Sequence, residues 1–423
     1  MAERLVAWLY GTPVATIGPA PRYRIATEWR NEGIERWGRG SRALSVGLPL
    51  GSPLSPGDVR ALDYFENILP EGQTLATMAS LAGVRAADTF GILAMFGRDC
   101  AGAIMLLPEP DRPDAERDNR YLPATGDDLS RLVNSLDIAP LAVDLDRGFR
   151  PSLAGFQRKA LVGRADDGTW QLPVGNAPST WILKPDGPHA TAANEATCLR
   201  LAAACGLEVP GIELLDLDGL GVLAVRRYDR RPSSDGPVRV HQEDGCQATS
   251  TPPQQKYEEQ GGPSLRDFAS ALRDFGDPAD VITLLRRTAF NMAVGNADAH
   301  AKNFSVLHES DSSIIKLAPL YDVLSTIALE LTDNAGRPLL ADTHLGQRVG
   351  GKTDIWNVAA ADIVQEAVTW GIRRNAAATV VSDTIDQAIA GVDQLISAAQ
   401  PFEPDQRVLA TIRQHTEHVA SLG

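Results

Sequence analysis

The residues best suited to chemistry are concentrated in "NADAHAKNF", Asn296 to Phe304, at the exit of the small apolar helix "FNMAVG". Asp298 lies just past the helix stop Gly295, on a loop anchored by a packed element, where a positioned carboxylate would sit. Asn303 follows five residues later. "FSVLH", the polar turn "ESDSS" and "IIKLAPL" then read as a β-hairpin. A hairpin returns the chain to its starting end, so Asp322, in "LYDVLS", is expected to meet Asn303. Two oxygen ligands beside a third carboxylate suit Mg2+, a hard cation. A carboxylate that orients a hydroxyl, an amide five residues on and a second carboxylate after a hairpin are the parts of a phosphoryl-transfer site.

Protein kinases carry lysine two residues after the catalytic Asp. Here that place is His300 and the lysine is Lys302, a spacing that resembles the catalytic loop of phosphoinositide kinases. Phosphoryl transfer also needs a cation for the nucleotide phosphates. In "STWILKP" strand alternation puts Lys184 on one face with Ile182, and Lys184 is the candidate, with Glu195 in the next helix as its potential partner. "SLAGFQRKALV" precedes this strand as a loop containing Gly155, and its Ser152 offers a hydroxyl where phosphorylation would disturb a bound nucleotide. Taken singly, Asp298 or Asn303 reads as a polar cap on a helix and a hairpin, and Lys184 as a solvated lysine at a strand end.

These residues need a sizeable scaffold. The chain has 423 residues, 43% hydrophobic, which implies two or three packed units. Lys and Arg number 40 against 54 Asp and Glu, a formal charge of −14, which argues against non-specific binding to nucleic acid or anionic membrane. Cys100, Cys198, Cys205 and Cys246 form no C-x-x-C pair, so a disulfide framework is not expected and a reducing cytoplasm fits. "MAERLVAWLYG" lacks a signal peptide's apolar core, and no run approaches the ~20 apolar residues of a membrane span.

Four sections are expected. Residues 1–110 read as α/β: strands in "RLVAWLYG", "TPVATI" and "ALSVGLPL", a helix capped by Ser55 with Pro56 in its first turn, a helix from Asp88, and the strand "GAIMLLP". Residues 111–150 are a linker and lead-in, opened by the Pro-flanked "EPDRPDAERDNRYLP". Residues 151–245 hold the strands "STWILKP", "GIELLDL" and "GVLAVRRY", the last two joined by an Asp218-Gly219 hairpin turn, and the helix "ATAANEATCLRLAAACG". Residues 246–423 read as helical. Val281, Leu284, Leu285, Ala289 and Met292 line one helix there, and Ile385, Ile389, Val392 and Ile396 another.

The ordered set "SLAGFQRKALV", "WILKP", "NEATCLRLAAACGLEVP", "VRRYDRR", "HQEDGCQAT", "NADAHAKNFSVL" and "LYDVLS" resembles the HipA family of bacterial serine/threonine-protein kinase toxins. "LSVGLPL", "FENILPEG" and "GRDCAGAIMLLP" resemble its N-terminal subdomain, so the likeness covers nearly the whole chain. The resemblance implies a two-lobed, phosphoinositide-kinase-like enzyme with an α/β N-terminal part and an all-α C-terminal part, using ATP and Mg2+. It gives 151–245 as the kinase N-lobe and 246–423 as the C-lobe. It makes Asp298 the catalytic base, Asn303 and Asp322 the Mg2+ positions, and Lys184 the ATP-phosphate position. The phosphate loop becomes Ala154, Gly155, Phe156, Gln157, Arg158 and Lys159. Arg226, Arg227 and Tyr228 fall on the hinge that contacts adenine, largely through backbone, and Gln242, His300 and Tyr321 match nucleotide-contacting positions. Ser152 matches the serine that these kinases autophosphorylate. Family members pair with a small helix-turn-helix antitoxin, meet DNA only through that complex, and phosphorylate a protein, in known cases an aminoacyl-tRNA synthetase. Phe156 stands where a small residue is usual, Arg158 where Glu is common, and Arg226 where the hinge is often acidic.

Two decoys compete. "GQRVGGKT", Gly346 to Thr353, satisfies the Walker A pattern, but the preceding "LLADTHL" is no apolar strand. His415 and His418 are three apart on a terminal helix and lack further ligands in register, so they read as two exposed histidines. The alternative functions are a kinase-fold binding module without turnover and a kinase for a soluble small molecule; ATP turnover separates the first from an enzyme.

Overall fold

The computed structural model describes residues 3–55, 58–113, 119–187, 191–234, 236–329, 343–397 and 405–422. Contact density divides the chain into two units. One comprises Met1–Lys184, Ala224–Gln254 and Ser305–Ile315; the other comprises Pro185–Leu223, Gln255–Phe304 and Lys316–Gly423.

In the first unit, "LVAWL" and "TPVATIGPA" alternate or run apolar and pair across the Tyr10-Gly11 turn as strands Leu5–Leu9 and Thr12–Ala20. With Arg24–Trp29 and Ile104–Pro108 they form a four-stranded antiparallel sheet in which Leu5–Leu9 lies between Thr12–Ala20 and Ile104–Pro108. The helices Arg60–Glu66 and Thr89–Phe96 pack on it, burying Phe65 and Phe96 with Leu5, Leu9 and Ile17. Asp88 caps the second helix by accepting from Gly91 N. A further antiparallel sheet runs Arg120–Pro123, Trp170–Val174, Ala160–Arg164, Trp181–Pro185, and Ala160 faces Leu183 in its register.

The second unit is a helical bundle of Thr191–Ala204, Leu265–Phe275, Pro278–Ala293, Ala360–Thr369, Arg374–Ser397 and Gln406–Ser421, with the hairpin strand Ile212–Leu217 beside the start of Leu220–Arg226. Ser264 and Asp267 cap Leu265–Phe275 reciprocally, and Asp277 caps Pro278–Ala293 with Pro278 in its first turn. Leu199, Leu201, Phe290, Val392, Leu409 and Ile412 meet in its core. All four cysteines are buried thiols. Among the described residues no helix is long and apolar enough to cross a membrane.

Several expectations are corrected. "ALSVGLPL" is not a strand. Glu243 draws Ser45 Oγ (2.6 Å) and Val46 N (2.8 Å), and Ser45 Oγ accepts from Gly47 N and Leu48 N, so side chains consume the donors a ladder would use. The helix expected from Ser55 begins at Arg60, whose N–H bonds to Asp58; Pro56 lies outside the described residues. The polar stretch after Pro108 is not all linker, since Arg120–Pro123 is a strand; 114–118 lie outside the described residues. The stripe on Arg374–Ser397 is Val381, Ile385, Ala388, Val392 and Leu395, and Ile396 is exposed. The C-terminal part is not all-α, because Ser305–His308, Ile315–Leu317, His344–Val349 and Lys352–Asp354 are strands.

Candidate functional site

The loop after Pro278–Ala293 is fixed from several sides. Gly295 adopts φ +71 and ends the helix. Asn296 N bonds back to Asn291 O (2.9 Å), Ala297 N donates to Thr326 Oγ1 (3.0 Å), and Gly346 N donates to Ala297 O (2.7 Å). Gly346 must lack a side chain, because a β-carbon there would lie 2.9 Å from His300 N. Between these anchors Asp298 alone of Asn291–Ala301 is exposed. Its carbonyl accepts from His300 N (2.8 Å) and from Asn303 Nδ2 (3.2 Å), and Asn303 N closes the turn on His300 O (2.9 Å). The five-residue spacing is therefore one tight turn that sets the Asn303 amide against Asp298.

The returning chain meets this turn as expected from the hairpin. Tyr321 donates its phenol to Lys302 O (2.6 Å), and Asp322, at φ +55, follows. His300 is buried, and its imidazole is pushed down to about 3 by burial and then by Lys256, with the Asp322 carboxylate pulling the other way. A neutral His300 thus lies within electrostatic reach of Asp322. Because Asn303 Nδ2 is directed to Asp298 O, its amide oxygen is turned elsewhere and remains suited to a cation. No group of three or more His, Cys, Asp or Glu that could hold a metal occurs among the described residues. Asn303 and Asp322 nonetheless fit Mg2+, which is held by one or two protein oxygens and completed by phosphates and water.

One residue that sequence reasoning missed belongs here. Tyr257 donates its phenol to Asp298 Oδ1 (2.8 Å) and stands edge-on to His300, centroids 5.1 Å apart. A single tyrosine in the polar "PPQQKYEEQ" has no spacing to single it out.

The remaining candidates lie in the first unit, apart from Tyr321 and His300. Ser152 is fully buried; its hydroxyl donates to Ile68 O (3.0 Å) and its N–H to Asp99 O (3.0 Å). Beyond it, Gly155 O accepts from Glu71 N (3.1 Å), Lys159 Nζ donates to Ala154 O (2.9 Å), and Arg158 pairs with Asp137 (3.1 Å). Phe156 is 71% exposed, so its size is accommodated by leaving the core. Lys184 is buried on the Trp181–Pro185 strand, and Gln242 carries a buried Oε1 without a partner among the described residues, an acceptor that a ligand amine would satisfy. Tyr228 is half-buried, and desolvation pushes its phenol up.

Arg226 is exposed, whereas Arg227 is buried in a charge network that the sequence did not reveal. Its guanidinium reaches Asp229 (2.7 Å), Ser179 Oγ (2.9 Å) and Cys100 O (2.9 Å). Asp99 accepts from Arg230 (3.0 Å), Arg239 (2.7 Å) and Ser179 Oγ (2.6 Å). Burial opposes ionisation of Asp99, but Arg239, Arg230 and Arg227 overcome it and hold the carboxyl below its ordinary value. The Arg227 side chain is thus committed to structure, and its N–H to Thr180 O (2.9 Å).

Both decoys fail on geometry. Lys352 and Thr353 lie on a strand paired with His344–Val349 across Gly350-Gly351, not at a helix N-terminus; residues 339–342 before it lie outside the described residues. His415 and His418 pack around Trp356 as an aromatic cluster, so His415 is fully buried and not exposed as expected, with its imidazole pushed down to about 4 by burial.

Comparison with known proteins bears on the whole chain. Residues 5–107 match the sequence model of the HipA N-terminal domain and residues 151–392 that of the HipA-like C-terminal domain. The Sinorhizobium fredii protein Y4mE is 42% identical over 294 residues, 67% of this chain and 69% of that one. The serine/threonine-protein kinase toxin HipA of Shewanella oneidensis is 27% identical over 303 residues, 68% of each. A Shewanella oneidensis structure of HipA with HipB and operator DNA superposes with a TM-score of 0.79 at 21% identity, covering 99% of this chain and 96% of that one. The fold is therefore kinase-like with mixed α/β content. With both family domains matched in order and a relative above two-fifths identity spanning two thirds of the sequence, the chain belongs to the HipA family.

Proposed function

We propose that this chain is an ATP- and Mg2+-dependent serine/threonine-protein kinase, the toxin of a toxin–antitoxin pair. The observation that carries this is the turn in which Asn303 is bonded to the carbonyl of an exposed Asp298 while Tyr321, next to Asp322, is bonded to Lys302. Family membership supports the same reading. In it Asp298 orients the acceptor hydroxyl and takes its proton. Asn303 and Asp322 would hold Mg2+, and Lys184 would face the nucleotide phosphates as a point charge. When bound, Mg2+–ATP supplies the transferable phosphoryl group and neutralises charge on it. Gln242, His300, Tyr321, Tyr228 and the hinge backbone would line the nucleotide, in a two-lobed, phosphoinositide-kinase-like arrangement.

Ser152 would be the autophosphorylated serine of the loop that runs to Lys159. The antitoxin partner would be a small HipB-like helix-turn-helix protein, in keeping with the HipB and operator DNA of the Shewanella assembly. The substrate would be a translation-related protein, with an aminoacyl-tRNA synthetase the first to test. Phosphoproteomics after expression of the wild-type and Asp298→Ala chains tests activity and names the target together. Phosphosites gained with wild type and absent with Asp298→Ala are expected. Equal phosphotransfer by both would sink the assignment.

A further inference from the structure

We propose that Tyr257 is a positioning residue for Asp298: its phenol holds one carboxylate oxygen and so sets the orientation of the carboxylate toward the acceptor hydroxyl. This rests on the reading of Asp298 as the base in phosphotransfer.

The phenol is placed by construction, not by chance contact. Lys256 O accepts from Ala301 N (3.0 Å), so the segment is tied directly to the Asp298 loop. Tyr257 O accepts from Gln260 N (3.0 Å) and Gly262 N (3.1 Å), which curls the chain behind the side chain. Glu258 Oε2 accepts from Arg348 N (2.8 Å), fixing the next residue to the strand His344–Val349. The ring is then held edge-on to His300 at an interplanar angle of 89°. The backbone N–H of His300 donates to the backbone carbonyl of Asp298, so the residue whose ring the phenol faces belongs to the same turn as the carboxylate.

This placement answers a physical need. Asp298 is exposed, and an exposed carboxylate samples several rotamers. A base works only within hydrogen-bond reach of the proton it takes and in the right orientation. An O–H donor on Oδ1 restricts that freedom.

The same distance would suit an acceptor hydroxyl, so the test must tell a positioning phenol from one that blocks the acceptor's place. The full chain, its Tyr257→Phe and Tyr257→Ala variants and Asp298→Ala are compared by autophosphorylation with labelled Mg–ATP at varied concentration. Thermal unfolding and Mg–ATP calorimetry accompany each. Tyr257→Phe should lower the maximal rate roughly ten- to thirtyfold, the loss of one charge-assisted hydrogen bond, with ATP dependence and melting unchanged. Tyr257→Ala should do no better. Wild-type rate in Tyr257→Phe overturns the inference while leaving the kinase reading intact, and so does a faster Tyr257→Phe, which would make the phenol a competitor. Absence of Asp298-dependent transfer in the wild type removes the kinase reading and this inference with it.

Discussion

Placing a negative charge at residue 152 should drive the segment Ser152–Lys159 out of its seat. The seat has a countable strength. Three hydrogen bonds hold it directly: Ser152 Oγ to Ile68 O, Ser152 N to Asp99 O, and Glu71 N to Gly155 O. At about 1 kcal/mol net each they contribute roughly 3 kcal/mol, and the buried Leu153 adds about 2 kcal/mol. Against this stands desolvation, several kcal/mol for one buried charge and more for a phosphate carrying about −1.5 to −2. The charged group also has no donor to meet, since the Ser152 hydroxyl faces a carbonyl oxygen. A balance favouring the open state by about 2 kcal/mol corresponds to roughly thirtyfold. Limited trypsin digestion, followed by mass spectrometry of cleavage after Arg158 and Lys159, reads the opening. Ser152→Ala loses one bond and should be cleaved only about fivefold faster, whereas Ser152→Glu and the phosphorylated chain should be cleaved at least about tenfold faster than Ser152→Ala. Equal cleavage of Ser152→Glu and Ser152→Ala would refute the reasoning. Because the hydroxyl is fully buried, phosphate can reach it only after prior opening, which enters autophosphorylation as a preceding equilibrium.

Three further outcomes are expected. Asp322→Asn should weaken Mg2+-dependent nucleotide binding and Lys184→Ala should weaken ATP binding with a smaller metal effect; calorimetry with and without Mg2+ decides, and unchanged affinity in Lys184→Ala would move the nucleotide elsewhere. Asp99→Ala should destabilise the protein by about 3–5 kcal/mol in urea unfolding, since it removes the carboxylate from part-buried Arg239 and one of two from buried Arg230, which keeps Asp229; a loss below about 1 kcal/mol would show that the cluster rearranges. His241 and His415, pushed down to about 3 and about 4 by burial, stay neutral in the fold while the unfolded chain binds protons below its ordinary value. Their contribution is therefore complete above about pH 6.5 and falls with acidification toward 4, by up to about 1.4 kcal/mol per pH unit for each. Asp63, raised to about 6 by burial, works in the opposite sense, so Asp63→Asn should steepen the fall; a flat profile between pH 7 and 5 in both proteins would contradict it.

The Asp298 loop was legible because its contacts are local. Asp298, His300 and Asn303 form one turn, so their spacing is the structure. The hairpin that carries the chain to Asp322 was legible for the same reason, as was the stop at Gly295. What escaped depends on partners far away in the chain. "ALSVGLPL" has a strand's composition, but Glu243 takes its donors from about 200 residues on, at a separation of 198 for Ser45. "RRYDRR" advertises charge and reads as a surface or hinge, while Arg230 is buried against Asp99, 131 residues before it. Tyr257 reaches Asp298 across 41 residues of intervening helices, and nothing in its own neighbourhood marks it.

The Asp99 cluster also bears on where this chain can be cut. Two family matches, 5–107 and 151–392, invite the view of two modules that could be expressed or exchanged separately. Asp99 belongs to the first match, and Arg227, Asp229, Arg230 and Arg239 to the second. A fragment starting at residue 151 would carry three buried guanidiniums with Asp229 as the single carboxylate of the cluster. It would also lose Ile68 O, the acceptor beneath Ser152. Such a fragment is expected to be insoluble or unfolded, and a chimera joining halves from different relatives should fold only when the acid of one half is inherited together with the arginines of the other. The unit that evolution can shuffle is the whole, with its seam stitched by charge.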